Sequence, residues 1–154
     1  MTGLVDAHFH IWRQADLPWL LGPMQPRIFG PYEPIRRDYP VEEYLADCRP
    51  EGITEAVYVQ ANWAPERALD EVRFVAESAR RAAFPIAIVA YADMLAEDIR
   101  PQLDALTAEP SVRGVRMQLH WHDNPLYRFA QSPDLARDPL LQRNVARLAD
   151  YGWS

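Results

Sequence analysis

The chain has almost no cysteine: a single residue, Cys48, in 154. One thiol excludes an internal disulfide and fits a reducing compartment. Cys48 falls on the apolar side of a helical pattern, so it reads as a core thiol rather than a nucleophile. There is no basic, apolar leader at Met1-Thr2-Gly3, and a cytoplasmic location is expected. No apolar run approaches the roughly 20 residues that cross a bilayer, so no membrane role is expected. Positive charge is also scarce. Lys and Arg number 16 against 22 Asp and Glu, for a net charge of −6 with four neutral histidines. A nucleic-acid binder would normally show a basic face, so no nucleic-acid partner is expected. Nor does any strand pattern lead into a glycine-rich phosphate loop, which disfavours a doubly wound nucleotide-binding fold.

What is present is a globular composition, 49% hydrophobic and 25% charged, long enough for one domain with a core. Strand and helix patterns alternate four times. Strands are expected near Leu4 to His10, Thr54 to Ala61, Ile86 to Asp93 and Val112 to Leu119. Helices are expected near Val41 to Arg49, Pro65 to Ala83, Glu97 to Thr107, and from Asp138-Pro139 to Gly152. The last should bury Leu141, Val145 and Leu148. Between Arg13 and Pro40 lies a stretch with six prolines, read as a loop anchored by Trp19, Leu20, Leu21, Ile28, Phe29 and Tyr32. The alternation implies α/β architecture with a parallel sheet. Four units are half of an eight-unit TIM-type barrel, which takes about 250 residues. The expectation is one partial domain over 1–154: the N-terminal half of a (β/α)8 barrel, cut after its fourth helix, with a fifth strand due to begin at Trp153-Ser154.

The most telling motif is Val5-Asp6-Ala7-His8-Phe9-His10-Ile11-Trp12. Side chains alternate faces along a strand, so His8 and His10 point the same way and can reach one metal ion. Parity groups Asp6 with these histidines. It sets Tyr58, Gln60 and Asn62 on the inward side of the second strand, Val89, Tyr91 and Asp93 on that of the third, and Arg116, Gln118, His120 and His122 on that of the fourth. Polar groups gather toward the C-terminal strand ends, where barrel enzymes carry their sites. Arg116 calls for an anionic partner, from the protein or from a substrate carboxylate. His120 and His122 flank Trp121 and suit substrate contact or plain hydrogen bonding better than metal ligation. Gln60 and Tyr91 join the substrate-binding candidates. Glu71 reads as an exposed helical glutamate. Trp12, Trp19 and Trp63 read as loop packing, with a pocket wall as the alternative.

The opening motif resembles the first strand of the amidohydrolase superfamily, in the amidohydrolase-related branch that includes sugar-lactone and pyrone-dicarboxylate lactonases. Three further segments agree in order: Ala56-Val57-Tyr58-Val59-Gln60-Ala61, Val89-Ala90-Tyr91-Ala92-Asp93, and Arg113-Gly114-Val115-Arg116-Met117-Gln118-Leu119-His120-Trp121-His122. The resemblance implies a distorted (β/α)8 barrel and attack of water on a lactone, ester or amide carbonyl, with a divalent metal such as zinc or manganese. Some relatives in the branch are held to work without one. It makes His8 and His10 the first-strand metal ligands. Further histidines and an aspartate come from later strands in the family, so the catalytic base is expected outside these residues and this segment alone is expected to be inactive. Related barrels with the same His-x-His start are decarboxylases, the enzymatic alternative. The other alternative is a non-catalytic half-barrel that pairs into a homo-oligomer through its open sheet edges.

Overall fold

The computed structural model describes residues 3–27 and 29–154. Met1 and Thr2, and Ile28, expected as a loop anchor, lie outside the described residues. Four parallel strands form one sheet in the order β1-β2-β3-β4: β1 Leu4–Phe9, β2 Ile53–Val59, β3 Ile86–Ala90 and β4 Val112–Val115. Helices α1 (Pro18–Leu21) and α2 (Val41–Cys48) lie between the first two strands, α3 (Ala68–Arg81) between the next two, α4 (Arg100–Leu106) before β4, and α5 (Pro139–Arg147) after it. Parallel neighbours require such crossovers. Four strand–helix units in sequential order are half the complement of a (β/α)8 barrel.

Strands end earlier than their apolar patterns. Arg116 still donates its amide to the Ala90 carbonyl at 2.8 Å, and there the ladder stops. Tyr91, Asp93, Arg116, Gln118 and His120 therefore sit just past the strand ends, where backbone is free to turn and side chains can converge.

The parity of β1 is corrected by a bulge. Asp6 pairs with Ala56 and Phe9 with Tyr58, so three steps on β1 match two on β2. The extra residue puts Asp6 on the same side as Phe9. Tyr44 of α2 donates its hydroxyl to Asp6 Oδ2 at 3.0 Å and stacks on Phe9 with ring centroids 4.2 Å apart. Asp6 is thus held against α2 by one oxygen, while its Oδ1 accepts from the His8 amide at 3.0 Å. On β2 the correction is larger. Tyr58 is fully buried on the helix side, edge-on to Phe9 and hydrogen-bonded to Glu71 of α3. A tyrosine there fills core volume and still finds an acceptor for its hydroxyl.

Helix α3 buries Val72, Val75, Ala76 and Ala79, but also Glu71, only 2% exposed. The expectation of an exposed glutamate is therefore wrong: Glu71 lies four residues before Val75 on the inward stripe. Helix α5 holds a similar reversal. Val145 is 47% exposed and Asn144 is fully buried, its amide donating to the carbonyls of Met94 and Ala96 at 3.0 and 2.7 Å. Those carbonyls belong to an irregular segment with no ladder partner, so a side-chain donor outcompetes a valine at the inward position. Asp138 caps α5 by accepting from the Leu140 and Leu141 amides. Cys48 is buried in the core.

The proline-rich stretch is packed. Leu17, Leu20 and Tyr32 are buried with Ala61 and Trp63 in a second cluster, and α1 is a single helical turn inside it. Trp12 and Tyr39 exchange both backbone hydrogen bonds at 2.9 Å and close the loop at its base. At the far edge of the sheet, Ser154 donates to Arg113 O at 3.2 Å and accepts from Val115 N at 2.9 Å, the bonding of a parallel neighbour. A Cβ at Gly114 would meet the Ser154 carbonyl, so glycine is what lets this approach occur. Among the described residues no helix is long and apolar enough to cross a membrane.

Candidate functional site

At the C-terminal end of β1 the two imidazoles converge. His8 Nε2 and His10 Nε2 stand 3.2 Å apart, with the rings edge-on at 76°. Two nitrogens each about 2.0–2.1 Å from one zinc at a tetrahedral angle stand about 3.3 Å apart, so the spacing suits a shared cation. His10 Nδ1 lies 2.6 Å from the Val59 carbonyl. A carbonyl only accepts, so Nδ1 carries the proton and the neutral ring turns its lone pair at Nε2 toward His8. Such a backbone acceptor on the far nitrogen is the usual orienting partner of a metal-bound histidine. Burial pushes the His10 pKa below its usual 6.5, and the neighbouring His8 and Arg116 add to that against the opposing effect of Val59 and Asp6. His10 is therefore neutral at pH 7, the form that binds metal. Two nitrogens are the whole of the donor set: among the described residues no group of three or more His, Cys, Asp or Glu could hold a metal ion.

The backbone that orients His10 is itself held tightly. After β2 the chain makes a turn in which Asn62 adopts φ +62°, a left-handed conformation that asparagine tolerates. Gln60 donates its amide to Val89 O at 2.9 Å, and its side chain exchanges hydrogen bonds with Asn62. Glu71 Oε1 accepts from the Ala61 amide at 2.5 Å and the Tyr58 hydroxyl at 2.8 Å. Trp19 donates its indole N–H to Ala61 O at 3.1 Å. The Gln60, Ala61 and Asn62 amides and the Val59 and Ala61 carbonyls of this turn are thus all committed. Burial holds the Glu71 carboxyl above its usual range, opposed by the Ala61 amide, the Tyr58 hydroxyl and the charge of Arg116.

Gln60, Tyr91 and His120 fall in two adjoining clefts that share Asn62, Gln118 and Phe129, and Arg116 lines neither. The smaller, about 270 Å³, takes Gln60, Tyr91, Asp93 and Gln118. Burial raises the Tyr91 pKa, and Asp93 adds to the shift, so the phenol stays protonated as a donor. The larger, about 660 Å³, is walled by Trp19, Phe29, Trp63, Tyr127 and Phe129 and reaches His120. Neither is lined by His8 or His10. Arg116 is half-buried, its Nε sealed from solvent without a hydrogen-bond partner. Burial lowers its pKa while Glu71 and Tyr58 counteract. His122 is not brought to either cleft. Its Nδ1 accepts from the Asn124 amide at 2.9 Å and its ring packs on Tyr127. That is a turn-holding role, chosen by a nearby amide that needed an acceptor. Trp12 packs on Tyr39 as loop structure, whereas Trp19 and Trp63 wall the larger cleft.

Sequence reading missed two contributors. Glu71 had a signal, an acid four and eight residues before the apolar Val75 and Ala79. The Val59 carbonyl had none, because backbone groups carry no side-chain identity.

A sequence profile described as amidohydrolase matches residues 5–154. Among curated proteins the chain is 30% identical over 153 residues to the uncharacterised protein y4mH of Sinorhizobium fredii, covering 98% of this chain and 52% of that protein. It is 26% identical over 144 residues to the L-fucono-1,5-lactonase of Burkholderia ambifaria, covering 90% and 46%. Among solved structures, an amidohydrolase from Burkholderia multivorans with bound HEPES superposes with a TM-score of 0.64 at 24% identity, covering 99% of this chain and 47% of that one. A probable 2-pyrone-4,6-dicarboxylic acid hydrolase from Acinetobacter baumannii with citric acid bound gives 0.59 at 11% identity, covering 99% and 48%. These two likenesses bear on the fold. The chain spans about half the length of the curated relatives it matches.

Proposed function

The chain belongs to the amidohydrolase family, and from that premise we propose that it supplies the metal-binding corner of a hydrolase acting on a small lactone, carboxylated or sugar-derived. The observation that carries this is the pair of Nε2 atoms 3.2 Å apart, with the His10 lone pair oriented by the Val59 carbonyl. His8 and His10 would hold a divalent metal, zinc or manganese, which when bound polarises a carbonyl and lowers the pKa of water. The chain's own groups do the rest of the binding. The half-buried guanidinium of Arg116 takes a substrate carboxylate through its terminal nitrogens. Gln60, Tyr91 and His120 contact hydroxyl or carbonyl oxygens from the clefts, and the aromatic walls exclude water. The partner is a small molecule, with no nucleic acid or membrane, in a cytoplasmic protein that can self-associate. The relative named L-fucono-1,5-lactonase supports the lactone class.

Catalytic zinc sites usually have three protein ligands. Two histidines without a third ligand or a base should bind weakly and leave this segment without turnover. The test is zinc titration by calorimetry, together with a panel of aldonic and carboxylated lactones assayed with and without chelator on a full-length protein carrying this segment. Expected are weak zinc binding lost in His8→Ala, and lactone hydrolysis by the full-length protein that chelator abolishes. Zinc binding that persists unchanged in His8→Ala overturns the metal assignment; a full-length protein inactive on every lactone overturns the substrate class.

A further inference from the structure

We propose that Glu71 is a positioning residue for this site: from α3 it clamps the turn after β2, and through that turn it fixes both the orientation of His10 and the Gln60–Asn62 amide pair. The geometry leads there in three steps. Glu71 is nearly inaccessible, and one of its two oxygens, Oε1, receives the Ala61 amide and the Tyr58 hydroxyl together. These two donors bracket Val59 and Gln60, so the carboxyl group spans the residues whose backbone faces the site. The Val59 carbonyl between them meets His10 Nδ1 at 2.6 Å, and just beyond, the Asn62 backbone amide donates to Gln60 Oε1 at 2.6 Å while Gln60 Nε2 donates to Asn62 Oδ1 at 3.2 Å.

The alternative holders of this turn are few. Gln60 N bonds Val89 O within the sheet, and Trp19 Nε1 reaches Ala61 O from the proline-rich loop. Neither satisfies the Ala61 amide. A buried amide without an acceptor would rotate its peptide toward water, and rotation there carries Asn62, already at φ +62°, out of register with Gln60. Helix α3 is thereby tied into the site by a group that an apolar helix face has no packing need to carry. This role rests for its catalytic meaning on the hydrolase reading above, but it can be measured without metal or substrate, so either can fail alone.

The test is nitrogen-15 NMR of the imidazole rings in the metal-free chain. Wild type should show His10 as the single Nδ1-protonated tautomer. Glu71→Gln keeps a carbonyl of the same reach and should preserve that signature. Glu71→Met keeps the volume, removes the acceptor, and should give His10 shifts averaged between tautomers, along with loss of the Gln60 and Asn62 side-chain amide shifts of the wild type. Tyr58→Phe removes one donor, leaves the Ala61 amide held, and should match wild type. A folded Glu71→Met chain with wild-type His10 shifts overturns the proposal. If that variant does not fold, the decision passes to the Ala61 amide proton of the wild type. It must be far downfield and protected from exchange; exchange at the rate of a free loop amide overturns the proposal.

Discussion

The two sides of the candidate site are built to different standards. On the β1–β2 side, His10 is bonded to the Val59 carbonyl, and Glu71 accepts from both the Ala61 amide and the Tyr58 hydroxyl. On the β4 side, Arg116 carries a sealed Nε with no partner, and His120 and Gln118 face open clefts. The satisfied side resembles a finished scaffold. The unsatisfied side offers donors that nothing in the described residues accepts. The contrast implies that the first side orients its groups before any ligand arrives, while the second acquires its order from what binds.

The largest effect should come from breaking the satisfied side. Glu71→Met leaves an amide and a hydroxyl buried without acceptors, at about 1–3 kcal/mol each. A loss of about 2–6 kcal/mol in chemical denaturation is expected, with the denaturant slope unchanged. A loss below about 1 kcal/mol would mean that water reaches the Ala61 amide and that the corner is looser than its distances suggest.

On the opposite side the same kind of substitution should behave in the other sense. Arg116→Met removes a half-buried cation whose desolvation is incompletely compensated. Stability should stay within about 1 kcal/mol of wild type or improve, since replacing such a group by an apolar one of similar volume is often neutral. Binding of citrate, a probe for carboxylate recognition, should weaken by about tenfold or more, in keeping with the loss of one charged hydrogen-bond partner worth about 1.5–3 kcal/mol. A strong destabilisation with citrate binding intact would make Arg116 a structural residue and remove it from the site.

How much of this was readable beforehand depends on how local the signal is. The order of strands and helices follows from alternation and chain punctuation, which neighbours in sequence determine. The convergence of His8 and His10 follows from period-two geometry, which holds across these two residues although His8 lies within the bulge between Asp6 and Phe9. The side of Asp6 was misread because a bulge shows only when two strands are compared. Tyr58 was misplaced because parity counts positions and is blind to a hydroxyl's need for Glu71. Val145 and Asn144 exchanged places for a similar reason: the Met94 and Ala96 carbonyls that want a donor are about fifty residues away. His122 shares the parity of Arg116 but leaves the strand before it, and an adjacent turn claims its ring.

A subtler probe uses pH to separate the two sides. Burial raises the Glu71 pKa above its usual 4.5, so the folded chain holds that proton more tightly than the unfolded one. A raised folded-state value contributes stability that is complete below the unfolded pKa and is lost as pH rises through the folded value. Glutamine carries no such proton. The stability of wild type relative to Glu71→Gln should therefore improve as pH is lowered from 7 toward about 5, read as the difference in denaturation midpoints. A difference that stays flat over that range would mean that the hydrogen bonds and Arg116 cancel the burial effect in full.

The smallest effect is expected at His122, and it matters because it tests where the site ends. His122 is exposed, and its one hydrogen bond serves the Asn124 amide in a turn that Asn124 itself stabilises by accepting from Leu126 N at 3.0 Å. Replacing it by alanine exposes that amide to water, which can take over as acceptor, so the change should stay within about 0.5 kcal/mol. Zinc affinity, citrate affinity and the His10 ring shifts should all be those of wild type. His120→Ala, two residues earlier and lining the larger cleft, should leave stability equally untouched but weaken citrate or lactone binding. If both substitutions weaken ligand binding alike, the turn at 122–127 moves onto the bound ligand, and the open side of the site extends farther along the chain than the clefts alone indicate.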